Sequence, residues 1–317
     1  MDKRAAVVLG VIFGGLFLVL FGFMLLAYSA VKASTSRVSL ETETTVGPRI
    51  GIVEVKGTIG VEQQPGMDPD RIVKLLKKYE RDDDVKAIVV RVDSPGGAIG
   101  PSQEIHDAVK RIKAKKKVVV SMGNLAASGG YYISAPADRI FAQPGTLTGS
   151  IGVVSIHFNV RGLLEWARIE ETTVKSGKYK DTLSPFRPLR EPDREEIQSI
   201  SDEIYAQFIE AVAEGRGLPE PRVREIAEGR IYTGRRAKDL KLVDELGGFD
   251  DALASAWSLA GQTGEPKVQY PPRDRDLSLR DLLRGAFQGA FQGATEGVRS
   301  AATGEGGIMF LAPSLIR

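Results

Sequence analysis

Residues 117–130 read KVVVSMGNLAASGG, and this stretch decides the fold class. KVVVSM (117–122) is a short apolar run with β-branched side chains, which is typical of a strand buried on both faces of a parallel sheet. The rest of the stretch contains one nucleophilic side chain, Ser128, between alanines and glycines. KAIVVRV (86–92) predicts a second buried strand, and helical patterns lie between such runs. Strands that alternate with helices of about 10–15 residues indicate βαβ units around a largely parallel sheet, which is an α/β fold.

The segments on either side continue this alternation. IGIVEVKGTI (50–59) predicts a strand followed by a turn, and DRIVKLLKKYE (70–80) places its apolar side chains on one helical face. SQEIHDAVKRIKA (102–114) predicts another helix. DRIFAQ (138–143) and TGSIGVVSI (148–156) predict further strands.

The second half of the chain reads as helical. Residues 195–213 predict a long amphipathic helix, in which apolar residues recur at helical spacing; these are Ile197, Ile200, Ile204, Phe208 and Val212. Residues 223–260 predict two more helical stretches. After Gly261 the chain becomes polar and proline-bearing, which is typical of a linker.

Composition excludes several classes of function. The chain has 317 residues, of which 26% are charged, and its net charge is +2, so nothing indicates nucleic acid as a partner. There is no cysteine, which excludes disulfides, thiol catalysis and cysteine-bound metals. An apolar fraction of 42% is ordinary for a chain that buries a core.

The N-terminus carries a long apolar segment. Residues 5–31 contain no charged side chain and are long enough to cross a bilayer as a helix, which needs about 20 apolar residues. A cleaved secretory signal is the alternative, but its apolar region is typically about 7–15 residues. Lys3 and Arg4 precede the segment, so the positive-inside rule predicts a cytoplasmic N-terminus (1–4) with the remainder outside. Residues 32–48 are rich in Ser and Thr and predict a polar tether.

Three predicted strand ends are followed by small residues. DSPGG (93–97) follows the first, GNLAASGG (123–130) the second, and PGTLTGSIGV (144–153) the third. Ligands of open α/β sheets bind outside the carboxyl ends of the strands, so the three turns together predict a site. Ser128 begins a short helix there, and glycine amides nearby could stabilise an oxyanion. The pattern A-A-S-G-G differs from the G-x-S-x-G of the α/β-hydrolases.

The residues alone leave the proton acceptor for Ser128 open. The chain has two histidines: His106 lies in a predicted helix among charged residues, which favours a solvated face, and His157 stays a candidate. A lysine could act instead if its pKa fell by about three units from about 10.4, which costs roughly 4 kcal/mol and which burial can supply. The segment 172–185 offers three such lysines, which are Lys175, Lys178 and Lys180.

Five blocks of sequence resemble a known family. VDSPGG, NLAASGGYYISAPAD, TLTGSIGV, VKSGKYKDTLSPFRP and GRIYTGRRAKDLKLVDELGG are similar, in this order, to the blocks of the signal peptide peptidase A family, which is peptidase family S49. The resemblance runs from about Arg49 to about Ala260 and implies a ClpP/crotonase-like fold of repeated ββα/βαβ units after one transmembrane helix. It therefore implies a Ser–Lys protease domain at 49–260 and a C-terminal linker and tail at 261–317.

The resemblance also assigns roles to individual residues. It implies that Ser128 is the nucleophile, that Lys180 is the general base and that Ser150 orients the lysine amine. The backbone N–H groups of Gly97, Gly96 and Gly129 match the oxyanion hole, with Gly97 the favoured donor. No cofactor, metal or nucleotide is implied.

The function implied by the resemblance is degradation of signal peptides left in the membrane. It implies apolar peptide substrates and a dome-like homo-oligomer, an octamer being one such assembly, in which serine and lysine come from neighbouring subunits. The expected location is the cell membrane, with a single pass and an extracytoplasmic catalytic domain. The alternatives are a protease specific for one membrane-protein partner, a crotonase-type acyl-CoA enzyme and an inactive scaffold. The final apolar residues (305–317) could be disordered or could occupy the enzyme's own groove.

Overall fold

The computed structural model describes residues 47–60 and 68–271, which fold around one central β-sheet. The strands are β1 (Arg49–Lys56), β2 (Val85–Ser94), β3 (Lys117–Ala127), β4 (Arg139–Ala142), β5 (Leu147–Gly149), β6 (Ile231–Thr233), β7 (Glu245–Leu246) and β8 (Val268–Gln269). The helices are α1 (Pro69–Arg81), α2 (Ile99–Lys113), α3 (Gly129–Ser134), α4 (Arg161–Trp166), α5 (Glu191–Arg216), α6 (Glu220–Ile226), α7 (Gly234–Asp239) and α8 (Phe249–Leu259).

Strand β3 lies at the centre of the sheet and leads directly to the predicted site. Hydrogen-bonded neighbours follow the order β6-β5-β3-β2-β1-β8. β3 pairs with β2 on one side, and on the other side it pairs first with β4 at 119–121 and then with β5 at 125–127. Among the described strands, only the pair β5–β6 is antiparallel. The α/β class and the largely parallel sheet predicted from the sequence are confirmed.

Helices cover both faces of this sheet. Neighbouring residues of β2 point to opposite faces, as side chains of a strand do. Val90 packs in the core formed with α1, α2, α3 and α5, whereas Val89 packs in a smaller core with α8. Because both faces are buried, the central strands need apolar side chains at nearly every position.

Helix α1 shows how local sequence fixes the packing. Asp68 caps its first turn, since the Asp70 N–H donates to Asp68 Oδ1 at 3.0 Å, and Pro69 suits the first helical position. Tyr79 is buried against β1, where a Cβ atom on Gly51 would lie 2.6 Å from the ring. The Tyr79 hydroxyl donates to the Gln269 carbonyl at 3.1 Å and so joins α1 to β8.

Two predictions about elements are wrong. The strand predicted at 148–156 ends at Gly149, because Ser150 takes a φ of 51° and its N–H donates to the Arg230 carbonyl at 2.7 Å. The chain then leaves the sheet without regular structure as far as α4. Residues 223–260 contain most of α6 together with α7 and α8, rather than two helical stretches. The helix predicted at 195–213 is confirmed and forms the greater part of α5.

Other predictions lie outside the described residues. These are the cytoplasmic N-terminus (1–4), the membrane anchor (5–31), the tether (32–48) up to residue 46, and the tail from residue 272 onward. Of the helices in the two described ranges, none combines the length and the hydropathy of a membrane span.

Candidate active site

Ser128 joins the end of β3 to the start of α3 in a strained conformation. Its φ is 51° and its ψ is −121°, a region that L-residues rarely adopt and that costs on the order of 1–3 kcal/mol. The Ser128 N–H donates to the Gly149 carbonyl at 2.9 Å, and the Tyr132 N–H donates to the Ser128 carbonyl at 2.8 Å. These two hydrogen bonds hold the turn, and strain of this kind is concentrated at functional sites.

A glycine turn after β2 lies directly against Ser128. A Cβ atom on Gly96 would lie 2.6 Å from Gly129 N and 2.9 Å from Ser128 Cβ, so only a residue without a side chain fits there. The Ile59 N–H donates to the Gly96 carbonyl at 2.8 Å, and the Ala98 N–H donates to the Ile59 carbonyl at 2.9 Å. This bridge fixes the backbone of Gly97 between its two neighbours.

The three candidate oxyanion amides differ in their hydrogen bonds. The Gly96 N–H donates to Ser94 Oγ at 3.1 Å and is therefore engaged. The N–H groups of Gly97 and Gly129 meet no acceptor among the described residues. The Cβ position of Gly129 lies 3.2 Å from Gly97 N, so these two glycines are adjacent. Two unpaired amides next to a serine hydroxyl can stabilise the negative charge of a tetrahedral intermediate.

Ser150 shares with Ser128 the more polar of two adjoining cavities, here called the polar cavity. Its φ is also 51°, and its hydroxyl, like that of Ser128, forms no hydrogen bond within 47–60 and 68–271. The cavity has a volume of about 470 Å³. Its other lining residues come mainly from α5 and from the turn before β6; they are Gly152, Val153, Val154, Gln198, Ser201, Asp202, Tyr205, Glu228 and Gly229. Two free hydroxyls and nearby carboxylates make this cavity suitable for an ammonium group.

A second, more apolar cavity adjoins the polar cavity at Ser128 and shares Val153 and Val154 with it. Its volume is about 220 Å³, and its apolar lining includes Val154, Ile204, Phe208 and the ring of Tyr132. Burial raises the pKa of the Tyr132 hydroxyl, which therefore stays neutral near the cavity. Gly97 and Gly129 also line this cavity, so a peptide carbonyl held at Ser128 could place an apolar side chain there.

The apolar cavity contains residues that the sequence did not assign to the site. Ile204 and Phe208 belong to the predicted apolar stripe of α5, and Tyr132 follows the nucleophile candidate by one helical turn. The sequence signal that could have identified Ile204 and Phe208 is the length of the apolar stripe. It begins at Ile197, before the buried apolar residues of α5.

The three candidate lysines have different surroundings. Lys175 Nζ pairs with Asp181 and donates to the Lys178 carbonyl at 3.1 Å. Lys178 Nζ lies 4.7 Å from the centre of the Tyr179 ring. Lys180 is exposed, and its ammonium has no hydrogen bond or ion pair with any residue in the described ranges. Lys180 does not line either cavity at Ser128, so within one chain the structure leaves the two apart.

The histidines are not placed as expected. His106 was predicted on a solvated face, but it is 5% exposed, because it packs on Tyr132 with ring centres 4.7 Å apart. Its Nδ1 lies 3.0 Å from Asp107 Oδ1. His157 is partly buried, and its Nε2 has no partner among the described residues. Neither histidine lines a cavity at Ser128.

Comparison with known proteins gives the class of this chain. A model described as Clp protease matches residues 60–146, and one described as Peptidase family S49 matches residues 110–263. The first match agrees with the mixed α/β sheet around β3, and the second covers Ser128 and the exposed lysines. Together they define a serine peptidase with a ClpP-like fold.

Relatives with protease names cover most of the same region. A provisionally named protease from Synechocystis sp. is 42% identical over 219 residues, which are 69% of this chain and 77% of the relative. A provisionally named protease from Methanocaldococcus jannaschii is 40% identical over 67% of this chain and 68% of its own. A protein from Enterococcus faecium, provisionally named signal peptide peptidase SppA, is 39% identical over 69% of this chain and 64% of its own. The chain belongs to peptidase family S49, as the sequence blocks predicted, and its substrates are peptides.

Proposed function

We propose that this chain is a membrane-anchored endopeptidase with a Ser128–Lys180 dyad that degrades signal peptides left in the membrane. The observation that carries the proposal is the position of Ser128. Its unpaired hydroxyl lies beside the free amides of Gly97 and Gly129 and between a polar and an apolar cavity.

The proposed mechanism uses these groups in sequence. The neutral amine of Lys180 takes the proton of Ser128, and Ser128 Oγ attacks the peptide carbonyl to form a tetrahedral intermediate. The N–H groups of Gly97 and Gly129 stabilise its oxyanion. The lysine ammonium then protonates the leaving amine, and water hydrolyses the acyl-enzyme with the lysine again acting as base.

The surroundings of the lysines favour Lys180 as the base. A general base needs a free amine, and Lys175 is held by Asp181, whereas Lys178 lies over the Tyr179 ring. A hydrogen bond to Tyr179 raises the pKa of Lys178, which disfavours its neutral form. Lys180 is left free to enter the polar cavity of a neighbouring site, where Ser150 would receive its amine.

We place the lysine of one subunit in the site of a neighbouring subunit. Lys180 lies on an exposed segment between β5 and α5, outside the cavities of its own chain. That segment also exposes large apolar side chains, which are Val154, Ile156, Phe158, Leu163, Trp166, Ile169, Val174, Leu183 and Phe186. Apolar surface of this extent is typical of a protein interface, and a second copy of the chain is the occupant that would also complete the dyad.

The substrate assignment combines the site with the relatives. The apolar cavity beside Ser128 suits peptides with apolar residues, and one relative carries a signal peptide peptidase name. The apolar segment at 5–31 would anchor each subunit, with a cytoplasmic N-terminus and an extracytoplasmic catalytic domain, where such peptides emerge.

Four alanine variants test the dyad. Ser128→Ala and Lys180→Ala should each lower kcat for an apolar peptide ester by about 10³-fold or more, because nucleophile and base act as one unit. Lys175→Ala and Lys178→Ala are matched controls from the same segment and should keep most of the activity. A fully active Lys180→Ala enzyme would remove Lys180 from the mechanism, and an inactive Lys178→Ala enzyme would move the base there.

A further inference from the structure

Asp193 is a buried carboxylate in an otherwise exposed region. It is the third residue of α5, and its side chain is 0% exposed, whereas its neighbours in the first turn of α5 are exposed. Its two carboxylate oxygens accept four hydrogen bonds from side chains. Arg190 donates through Nε at 2.7 Å and Nη2 at 2.9 Å, Arg187 through Nη1 at 2.7 Å, and Thr182 through Oγ1 at 3.1 Å. These bonds fill the hydrogen-bonding capacity of the carboxylate, and all of the side-chain donors precede it in the chain.

Two of these partners lead to Lys180. Arg187 also donates through Nε to Asp181 Oδ2 at 2.9 Å and through Nη2 to the Asp181 carbonyl at 2.7 Å. Asp181 follows Lys180 directly and also holds Lys175. Thr182, two residues after Lys180, contacts Asp193 itself. A chain of hydrogen bonds therefore runs from the buried carboxylate to the residues next to the lysine.

Helix capping explains only part of this arrangement. The Arg190 N–H lies 3.4 Å from Asp193 Oδ2, and a carboxylate at a helix N-terminus is favourable by itself. Neither effect needs Arg187 or Thr182. The segment 176–186 has no helix or strand of its own to fix its shape. The bonds of Asp193 and Arg187, together with an ion pair of 3.6 Å between Arg190 and Asp181, tie this segment to α5.

Opposite charges strengthen the hydrogen bonds of this network. It consists of Asp193, Arg190, Arg187, Asp181 and Thr182 and is here called the clamp. Arg190 and Arg187 hold the pKa of Asp193 well below its ordinary value, and Arg187 and Lys175 do the same for Asp181. Both carboxylates therefore stay ionised across the working range of pH. Charge-assisted bonds to a planar guanidinium are short and directional, so Arg187 fixes the angle between the two carboxylates as well as their distance.

We propose that Asp193 is a positioning residue for the catalytic lysine. Through Arg187, Asp181 and Thr182 it holds the turn that carries Lys180 in the one conformation that presents the amine to the serine of a neighbouring site. This inference rests on the proposed dyad. A misplacement of about 1 Å at a catalytic group can cost about 10²-fold in rate, which is the effect that the clamp prevents.

The first experiment separates positioning from folding. In the full-length enzyme, Asp193→Asn should lower kcat about 10- to 100-fold with KM changed less than about 2-fold. Asp193→Glu should recover most of that loss, because it restores the charge. Glu196→Gln, an exposed position on the same helix, is the matched control and should keep full kcat. Circular dichroism and urea unfolding measure the folded fraction independently of the dyad, so kcat refers to folded enzyme only.

The outcomes distinguish this inference from the proposed function. If Asp193→Asn keeps full kcat per folded chain while Lys180→Ala is inactive, Asp193 has only a structural role and the inference is wrong. If Lys180→Ala is active, the proposed dyad is wrong and the inference fails with it. A fall in the folded fraction at unchanged kcat per folded chain would also count against positioning.

Mixed assemblies give a second readout that a general loss of stability would not produce. Co-expressed Ser128→Ala and Lys180→Ala chains should regain activity, because one supplies the lysine and the other the serine. Asp193→Asn should be raised toward wild-type activity per serine by Ser128→Ala chains, which carry an intact clamp, but not by Lys180→Ala chains. Equal behaviour with both partners would overturn the assignment of Asp193 to the lysine side. If the first pair stays inactive, the dyad forms within one chain, and the inference that Asp193 presents Lys180 to a neighbouring site is wrong.

Discussion

Ser128 adopts a conformation that glycine adopts more easily, so its backbone is a measurable cost to stability. At φ 51° and ψ −121° a Cβ atom is strained, whether it belongs to serine or to alanine. Ser128→Gly should therefore be more stable than Ser128→Ala by about 1 kcal/mol, although both are inactive. That difference corresponds to about 2–4 °C in Tm, measured by calorimetry.

A serine in a regular helix is the control, because there the stability difference between the glycine and alanine variants should have the opposite sign. Ser199 is exposed on α5 with ordinary helical geometry, where glycine is less stable than alanine by about 1 kcal/mol. If Ser128→Gly were also the less stable of its pair, the strained turn would not exist in solution.

The clamp at Asp193 predicts a dependence of stability on pH. Its pKa is lowered in the folded chain by Arg190 and Arg187, so the unfolded chain takes up the proton first as the pH falls. The stabilisation is therefore complete above the ordinary value near pH 4 and is lost progressively below it. The difference in Tm between wild type and Asp193→Asn should be largest near neutral pH and should shrink below about pH 4. A difference that stays constant down to pH 3 would mean that the carboxylate is not held by the arginines.

Individual residues of the candidate site show which of its features can be predicted from the sequence and which cannot. Ser128, Gly97 and Gly129 were predicted from small residues at strand ends and from the family blocks; the structure places them close together, and their roles stay predictions. The engaged amide of Gly96 was not, because it depends on a hydrogen bond to Ser94 Oγ that no spacing reveals. His106 was assigned to solvent because its sequence neighbours are charged, whereas its burial depends on Tyr132, which is distant in sequence.

At the scale of elements, the contact between α1 and β1 depends on one missing side chain. A Cβ on Gly51 would lie 2.6 Å from the Tyr79 ring, so Gly51→Ala must displace the ring or the strand. The expected loss of stability is about 1–3 kcal/mol, measured by urea unfolding. Gly100→Ala is the control, because this helical glycine has open space around its Cβ position and should gain up to about 1 kcal/mol. Equal effects of the two changes would contradict the packing of Tyr79 on β1.

Helices and strands could be predicted where the spacing of the apolar residues fits only one of the two. β2 and β3 follow from β-branched runs, and α5 follows from its helical stripe. The strand predicted at 148–156 failed because the apolar run continues past Ser150, although the backbone turns there. That turn depends on hydrogen bonding to Arg230, eighty residues later, which the local pattern does not contain.

At the scale of the whole molecule, the exposed apolar segment predicts self-association. Trp166 is 81% exposed and Val154 82%, which is unfavourable for a chain that works alone. Trp166→Asp and Phe158→Asp, neither of which lines a cavity at Ser128, should lower both the mass measured by analytical ultracentrifugation and the peptidase activity. Tyr270→Asp, an exposed aromatic position outside that segment, should change neither. Monomeric variants with full activity would show that the dyad does not need a second chain.

The exposed position of Lys180, away from the cavities of its own chain, has a consequence for when the enzyme becomes active. In the proposed arrangement a neighbouring subunit supplies the base, so each chain would be latent as long as it is dilute. A newly made chain would pass through the cell without cutting the proteins around it, and activity would begin only where chains accumulate. Specific activity should then rise steeply with surface density, so the cell could set the onset of proteolysis by expression level alone, without a propeptide or an inhibitor.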